Sequence, residues 1–234
     1  MTAHGEEVEL TGTAKGIAAF DFDGTLVAGD SLPRYLSRLL GRSRFASVLS
    51  ASGPAMAAAY RSTGRDGAKA ALLKRAVAGV EAARAMDVGE SFAGLLAGQV
   101  RPRMADRIAW HREQGHRLVL VSASLGLYLI PFGKLRGFDE VIATALEVGP
   151  DDRLTGLLQG PNVRAAQKAV LLRELIGSEA VTVWAYGDSR GDREMLAMAD
   201  FPTLLGRTLR MPGARGRRRP PDSERAVRPQ WTDG

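Results

Sequence analysis

The 234-residue chain is 45% hydrophobic and 25% charged, which is typical of one globular core with a smaller inserted unit and excludes wholesale disorder. It has no cysteine, which excludes disulfides, thiolate metal sites and cysteine nucleophiles and favours a cytoplasmic location. The net charge of +6 does not indicate a nucleic-acid partner for the folded body, because the segment from Arg207 onward has eight arginines and three acidic residues, leaving 24 basic and 23 acidic residues elsewhere.

The first sixteen residues are predicted to be a flexible lead-in. They include three glutamates and lack the basic region and apolar region of a secretory signal. The apolar run at residues 17–20 follows directly and predicts a buried strand.

Two aspartates come directly after this predicted strand, in the run Asp21-Phe22-Asp23-Gly24-Thr25. If the strand is buried in a parallel sheet, both carboxylates emerge at its carboxyl end, where open α/β sheets bind ligands. Residues two apart on an extended chain project to the same side. The pair could therefore act together on one reacting group or one metal ion, as a nucleophile beside a general acid and base.

Residues 29–102 are predicted to form a helical cap, inserted into a core made of residues 17–28 and 103–206. Ala, Leu and Arg recur at helical spacing within it. Glycine and proline predict breaks into several short helices, at Gly41, Gly53, Pro54, Gly64, Gly67 and Gly89. Asp30 and Ser31 form a good helix start, with either residue as the N-cap.

Residues 45–60 contain no charged side chain. The stretch is too short for a membrane span, and several serines and a Gly-Pro pair interrupt it. We predict a pair of packed cap helices and no transmembrane segment, with a peripheral contact to lipid as the alternative.

Strands and helices alternate after Pro102, which is typical of a parallel sheet with helices on its faces. The predicted helices run through Trp110, near residues 125–132, over 162–175 and over 193–199, and the predicted strands cover 117–121, 140–144 and 180–185, with a short hairpin at 154–160. His111 and His116 are expected to be surface or capping residues. Residues 207–234, rich in Pro, Gly and Arg, are predicted to be a disordered basic tail.

Four polar sites occur in order along the chain, and three of them directly follow predicted strands: Asp21-x-Asp23-Gly24-Thr25, Ser122, Lys168, and Gly187-Asp188-x-x-x-Asp192. Together they resemble the four motifs of the haloacid dehalogenase-like (HAD) superfamily. The helical stretch between the first two is similar to that superfamily's first (C1) cap type. Subfamily IB, which includes phosphoserine phosphatases and other small phosphatases, is the most similar group. The resemblance implies an α/β, Rossmann-like core with an inserted helical-bundle cap.

The resemblance also implies a Mg²⁺-dependent phosphomonoester hydrolase acting through an aspartyl-phosphate. Asp21 would be the nucleophile, and Asp23 would act as general acid and then as general base. Ser122 would hold a phosphoryl oxygen of the substrate, and Lys168 would balance negative charge. Mg²⁺ would bind Asp21, Asp188 and the backbone carbonyl of Asp23.

Three further residues complete the predicted site. Asp192 would orient Lys168 or a metal-bound water, and Thr25 would orient Asp23. Asp30 lies where the phosphoserine phosphatases carry a glutamate that holds the substrate amino group, so it is a candidate substrate ligand as well as a candidate helix cap.

The substrate is predicted only as a small phosphorylated metabolite. Arg190-Gly191 replaces the Gly-Ala-Asn run of phosphoserine phosphatases, and this form of the fourth motif is closer to a looser group that includes phosphatidylglycerophosphate phosphatases. Both specific activities stay open as alternatives. A dehalogenase is less favoured, because it would need neither Asp23 nor Asp188, and a non-catalytic phosphate-binding protein is a further rival.

Overall fold

Six strands form a single sheet in the computed structural model, which describes residues 16–205. The strands are β1 (Gly16–Phe20), β2 (Arg117–Leu125), β3 (Glu140–Val148), β4 (Leu154–Gln159), β5 (Thr182–Gly187) and β6 (Phe201–Leu204). Their order across the sheet is β4-β3-β2-β1-β5-β6, and every neighbouring pair is parallel except β3 and β4. The predicted α/β fold with a parallel sheet is confirmed.

Seven helices accompany the sheet in the described residues. They are α1 (Ser31–Leu40), α2 (Arg42–Val77), α3 (Ala82–Ala97), α4 (Pro102–Glu113), α5 (Gly126–Arg136), α6 (Ala166–Ile176) and α7 (Arg193–Met198), and a 3₁₀ turn at Arg190–Asp192 precedes α7. The predictions for the lead-in and the basic tail fall outside the described residues, except that Gly16 belongs to β1.

The central strand β1 is buried on both faces of the sheet, as its unbroken apolar sequence predicts. Ala18 and Phe20 belong to one apolar cluster, whereas Ile17 and Ala19 belong to another. This alternation places each cluster on its own face of the sheet. The strand is therefore fixed from both sides, and so is the position of the chain where it ends, at Asp21.

The helices α1, α2 and α3 lie between β1 and α4 and are called here the helical insert. The amide of Arg101, just before α4, donates a 2.8 Å hydrogen bond to the carbonyl of Leu26, just after β1. The two connections between the helical insert and the sheet therefore run side by side.

The predicted helix breaks in the helical insert are confirmed at Gly41, which ends α1, and at Gly64, and they are wrong at Gly53, Pro54, Gly67 and Gly89, which lie inside helices. Helix α2 spans 36 residues, and its backbone is non-helical only at Gly64 (φ 68°, ψ −148°), so residues 45–60 form part of one helix and not a pair. A glycine inside a helix costs only about 1 kcal/mol, which tertiary packing can offset. Gly89 shows such packing, because a side chain there would overlap the carbonyl of Leu127 in α5.

Three further expectations need correction. Residues 154–159 form one strand, β4, and the hairpin is the antiparallel pair that it makes with β3. The four-residue edge strand β6 was not predicted. His111 is fully buried, and its ring nitrogens lie 2.8 Å from the Tyr186 hydroxyl and from His116 Nδ1.

None of the helices within residues 16–205 has the length and apolarity that a membrane crossing requires.

Candidate active site

A cavity of about 540 Å³ opens at the carboxyl ends of β1, β2 and β5. It is lined by seven of the eight predicted site residues, namely Asp21, Asp23, Asp30, Ser122, Lys168, Asp188 and Asp192. The eighth, Thr25, lies behind the cavity wall and contacts Asp21. Neighbouring parallel strands thus bring together groups that are far apart in the sequence.

Lys168 lies at the centre of the site and is 2% exposed. Its ammonium group donates hydrogen bonds to Asp21 Oδ1 and, at 2.6 Å, to Asp192 Oδ1. Burial alone would lower the pKa of Lys168, but the two carboxylates outweigh burial and raise it. Lys168 is therefore held as a cation between two buried acids.

Asp192 fixes the loop after β5 as well as Lys168. Its Oδ2 accepts hydrogen bonds from the amide of Asp188 (3.2 Å), the amide of Ser189 (3.0 Å) and the Ser189 hydroxyl (2.9 Å). Together with the hydrogen bond that the Gly191 amide donates to Ser189 Oγ, these contacts form a capping box over the 3₁₀ turn. One buried side chain thus determines where both Lys168 and Asp188 lie.

Asp21 is buried and has hydrogen-bond donors on both carboxylate oxygens. Thr25 Oγ1 donates to Asp21 Oδ2 at 3.0 Å, and Lys168 donates to Oδ1. The prediction that Thr25 orients Asp23 was therefore wrong, because the turn after β1 carries Thr25 back toward Asp21. Burial raises the pKa of Asp21, and the positive charge of Lys168 opposes that rise.

Asp188 approaches Asp21 across the turn that contains Gly24. Carboxylate oxygens of Asp21, Asp188 and Asp192 lie within 4.8 Å of one another. Burial, and then the charges of Asp21 and Asp192, raise the pKa of Asp188 to about 6. Clustered hard oxygen ligands of this kind fit Mg²⁺. Asp192 accepts three hydrogen bonds on Oδ2 and one on Oδ1, whereas Asp21 accepts one on each oxygen, so Asp21 and Asp188 are the better candidate ligands.

Asp23 is held apart from this cluster by two serines. Its Oδ1 accepts from the amide of Ser31 at 2.9 Å, and its Oδ2 accepts from Ser31 Oγ at 3.0 Å and from Ser124 Oγ. Burial raises the pKa of Asp23 to about 6, and the serine hydrogen bonds limit the rise. Sequence reasoning missed Ser124, although it follows Ser122 by two residues on one strand and so faces the same side.

Ser122 and Asp30 complete the predicted set. Ser122 is buried in the cavity wall, where its Oγ accepts a 3.1 Å hydrogen bond from the Ser124 amide. Asp30 lies at the cavity rim and accepts from the Leu32 amide at 3.0 Å, so it is the N-cap of α1. The helix-cap alternative for Asp30 is confirmed.

The helical insert contributes a cation that the sequence did not single out. Lys69, in α2, donates to the Ala123 carbonyl at 2.5 Å and to Asn162 Oδ1 at 2.6 Å. Burial lowers the pKa of Lys69 to about 8. Asn162 in turn donates to Asp66 Oδ1 at 2.8 Å, and the Thr144 hydroxyl donates to Asn162 Oδ1 at 2.9 Å. These bonds join the helical insert to the strand segment that carries Ser122.

A protein-family model described as "haloacid dehalogenase-like hydrolase" matches residues 18–197. The chain belongs to this family. It is 37% identical over 188 residues to "Protein CicA" of Caulobacter vibrioides, an alignment that covers 79% of this chain and 83% of CicA. The predicted HAD superfamily and the predicted enzyme class, a hydrolase of that superfamily, are confirmed.

Solved structures share the fold of this HAD hydrolase. A protein of unknown function from Bordetella pertussis Tohama I matches with a TM-score of 0.65 at 20% identity, covering 79% of this chain and 86% of that one. A structure titled "Phospho-Aspartyl Intermediate Analogue of Phosphoserine phosphatase" matches with a TM-score of 0.57 at 19% identity, covering 80% of this chain and 84% of that one. At these identities the matches establish the HAD fold.

Proposed function

We propose that this HAD protein is a Mg²⁺-dependent phosphomonoester hydrolase that acts through an aspartyl-phosphate on a small phosphorylated metabolite. The observation that carries the proposal is the contact of Lys168 with both Asp21 and Asp192 in a closed, buried cluster. A phosphate monoester repels an anionic nucleophile, so positive charge must lie beside that nucleophile. Lys168 supplies it next to Asp21.

The reaction proceeds by two transfers of the phosphoryl group. A carboxylate oxygen of Asp21 attacks phosphorus and forms the new O–P bond while the bond from phosphorus to the leaving oxygen breaks. The protonated carboxyl of Asp23 gives its proton to that leaving oxygen. Water then attacks the phosphorus of the aspartyl-phosphate and passes a proton to Asp23, which releases inorganic phosphate and regenerates both aspartates.

The remaining predicted residues have supporting roles. Ser122 holds a phosphoryl oxygen, and Asp192 keeps Lys168 and the loop of Asp188 in place. Asp21, Asp188 and the backbone carbonyl of Asp23 would hold Mg²⁺, which when bound neutralises phosphate charge.

Two observations favour phosphatase chemistry over dehalogenation. Asp23 lies at the cavity, where its carboxyl group has its own hydrogen-bond partners. A departing alkoxide needs such a proton donor, whereas a departing halide does not. The carboxylates of Asp21 and Asp188 form a cluster suited to a divalent cation, which a dehalogenase does not need. The fold match to a structure titled as a phospho-aspartyl intermediate analogue is consistent with the proposed intermediate.

The specific substrate stays open between phosphoserine and a lipid phosphate such as phosphatidylglycerophosphate. Asp30 lines the cavity while it caps α1, which supports a contact with a substrate ammonium. A preference for phosphoserine would support that role of Asp30. A preference for lipid phosphates would support a lipid contact by the uncharged stretch of residues 45–60.

The test is Mg²⁺-dependent phosphate release across a panel of phosphomonoesters. Wild type is compared with Asp21→Asn, and Asp106→Asn, which changes an exposed aspartate of α4, is the matched control. We expect Asp21→Asn to abolish turnover, because an amide is no nucleophile, and the control to match wild type. Equal turnover by wild type and Asp21→Asn would refute the mechanism. Phosphate binding without release would favour a binding protein, and halide release without Mg²⁺ a dehalogenase.

A further inference from the structure

Three buried hydroxyl groups form a hydrogen-bonded cluster beside the carboxyl group of Asp23, and two of them, those of Ser31 and Ser124, contact it. Ser31 Oγ lies 3.0 Å from Asp23 Oδ2, 3.1 Å from Ser124 Oγ and 2.9 Å from the Tyr128 hydroxyl, and Ser124 Oγ also donates to Asp23 Oδ2. We call Ser31, Ser124 and Tyr128 the hydroxyl cluster.

The hydroxyl cluster is assembled by the tertiary fold and not by local sequence. Ser31 begins α1 of the helical insert, Ser124 lies near the end of β2, and Tyr128 lies in α5. The hydroxyl of Ser31 reaches its partners across 93 and 97 residues of sequence. Ser31 and Tyr128 are fully buried and Ser124 is 5% exposed. Burying three hydroxyls is costly unless they bond to one another, and here all three meet at Ser31 Oγ, next to Asp23.

The cluster fixes both oxygens of the Asp23 carboxyl. The Ser31 amide holds Oδ1 at 2.9 Å, while the hydroxyls of Ser31 and Ser124 hold Oδ2. The plane of the carboxyl group therefore cannot turn without breaking a hydrogen bond. A hydroxyl can donate or accept by rotating its hydrogen, so the same partners suit both a carboxylate and a carboxylic acid. This property matches a group that must give up a proton and later take one back.

We infer that Ser31 and Ser124 are positioning residues for Asp23, with Tyr128 acting through Ser31. The inference rests on the proposed function, in which Asp23 protonates the leaving oxygen. The hydroxyl cluster holds the carboxyl of Asp23 so that its proton faces that oxygen as the bond from phosphorus breaks. Since Ser31 belongs to the helical insert, the orientation of Asp23 also depends on the insert staying against the sheet.

The leaving group of the substrate provides a test that a merely structural role would not pass. Nitrophenolate is a stable anion and leaves without a proton, whereas an alkoxide needs one. We compare kcat/KM, which includes every step up to the aspartyl-phosphate, for p-nitrophenyl phosphate and for the best alkyl phosphate of the panel above. A general acid contributes roughly 10²- to 10⁴-fold, so losing part of its alignment should cost about tenfold or more on the alkyl ester.

The variants are Ser31→Ala, Ser124→Ala and Tyr128→Phe. We expect both serine variants to lose about tenfold or more on the alkyl ester and less than about threefold on the nitrophenyl ester. Tyr128→Phe keeps the ring that packs against Tyr35 and Phe92, so it should fold as wild type and show a smaller loss of the same kind. Thermal unfolding of each variant shows whether the fold is retained.

The matched control is Ser52→Ala, which removes a buried hydroxyl of α2 that has no hydrogen-bond partner among the described residues. It should match wild type on both esters. Equal losses on the two esters, or no loss on either, would overturn the inference while the proposed function stands. A wild-type protein without Mg²⁺-dependent turnover of either ester would overturn the proposed function and this inference with it.

Discussion

Lys168 and Asp192 form a buried ion pair, with 2.6 Å between Nζ and Oδ1 and at most 3% of either side chain exposed. The same ammonium group also pairs with Asp21. Removing one partner of a buried pair costs more than the pair contributes, because the other charge is left without compensation.

Lys168→Met should therefore abolish turnover and also lower the free energy of unfolding by about 3 kcal/mol. Urea unfolding monitored by circular dichroism measures the second effect. Lys134→Met, which changes an exposed lysine of α5, should leave both properties as in wild type. A Lys168→Met protein as stable as wild type would contradict the view that the cation compensates both acids.

Gly24→Ala should reduce activity sharply, because the new methyl group would overlap the carboxylate of Asp188. Gly29→Ala is a close control: both glycines have positive φ, +82° and +76°, but nothing lies within 4 Å of the position that a Gly29 side chain would take. Both variants carry the backbone strain of about 1 to 2 kcal/mol, and only Gly24→Ala should displace Asp188. We expect a loss of kcat/KM of about tenfold or more for Gly24→Ala alone. Equal losses in the two variants would assign the effect to strain.

Mg²⁺ should raise the unfolding temperature of the wild-type protein, because a bound cation offsets the repulsion among Asp21, Asp188 and Asp192. Asp188→Asn should lose most of this shift, whereas Asp87→Asn, at an exposed position in α3, should keep it. Differential scanning fluorimetry with added MgCl₂, and with EDTA as the reference, measures the shift without relying on turnover. The same shift in Asp188→Asn as in wild type would rule out Asp188 as a ligand.

Lys69→Met should raise KM more than it lowers kcat. The substitution removes the bonds from Lys69 to Ala123 and Asn162, which join the helical insert to the segment that carries Ser122. A hydrogen bond to a charged group contributes about 1.5 to 3 kcal/mol, so KM should rise roughly tenfold or more. Lys74→Met, at an exposed position of the same helix, is the control. A fall in kcat with KM unchanged would show that these bonds do not act through substrate binding.

Stability should fall in acid because of His111. Burial lowers the pKa of this residue to about 3, and the nearby His116 and Arg107 add to the effect. Above about pH 6.5 His111 is neutral in both the folded and the unfolded state, and its contribution is complete. Between about pH 6.5 and pH 3 the unfolded chain binds a proton that the folded protein does not.

The free energy of unfolding should therefore fall by about 1.4 kcal/mol per pH unit from this residue across that range. Urea unfolding at several pH values, for wild type and for His111→Gln, isolates the contribution. The variant should show the shallower slope. Parallel slopes would mean that the folded protein accommodates a protonated His111.

The local sequence carried enough information to predict the sheet and the acidic part of the site. Apolar runs predicted β1, β2, β3 and β5, and the polar residues after them marked the cavity, because strand ends of a parallel sheet converge. The partners of Asp23 were not predictable in the same way. Ser31, Ser124 and Tyr128 lie on three separate elements and meet only through the packing of the helical insert on the sheet.

Local signals also failed where packing opposed them. Gly64 interrupts α2 as predicted, but Gly89 lies inside α3 and permits close contact between α3 and α5. The spacing of Thr25 in the sequence could not show that the turn after β1 directs its hydroxyl to Asp21. His111 gave no sign of burial, since its partners Tyr186 and His116 are supplied by other parts of the fold.

The hydrogen bond between Arg101 and Leu26 means that the polypeptide enters the helical insert and returns from it at two adjacent points. Parts of the helical insert that do not contact the sheet can lengthen, shorten or be exchanged by mutation without moving β1, α6 and β5, which position Asp21, Lys168 and Asp188. An exchanged segment must still offer a hydroxyl and an amide to Asp23, as Ser31 does, and it must replace the bonds of Lys69 to Ala123 and Asn162.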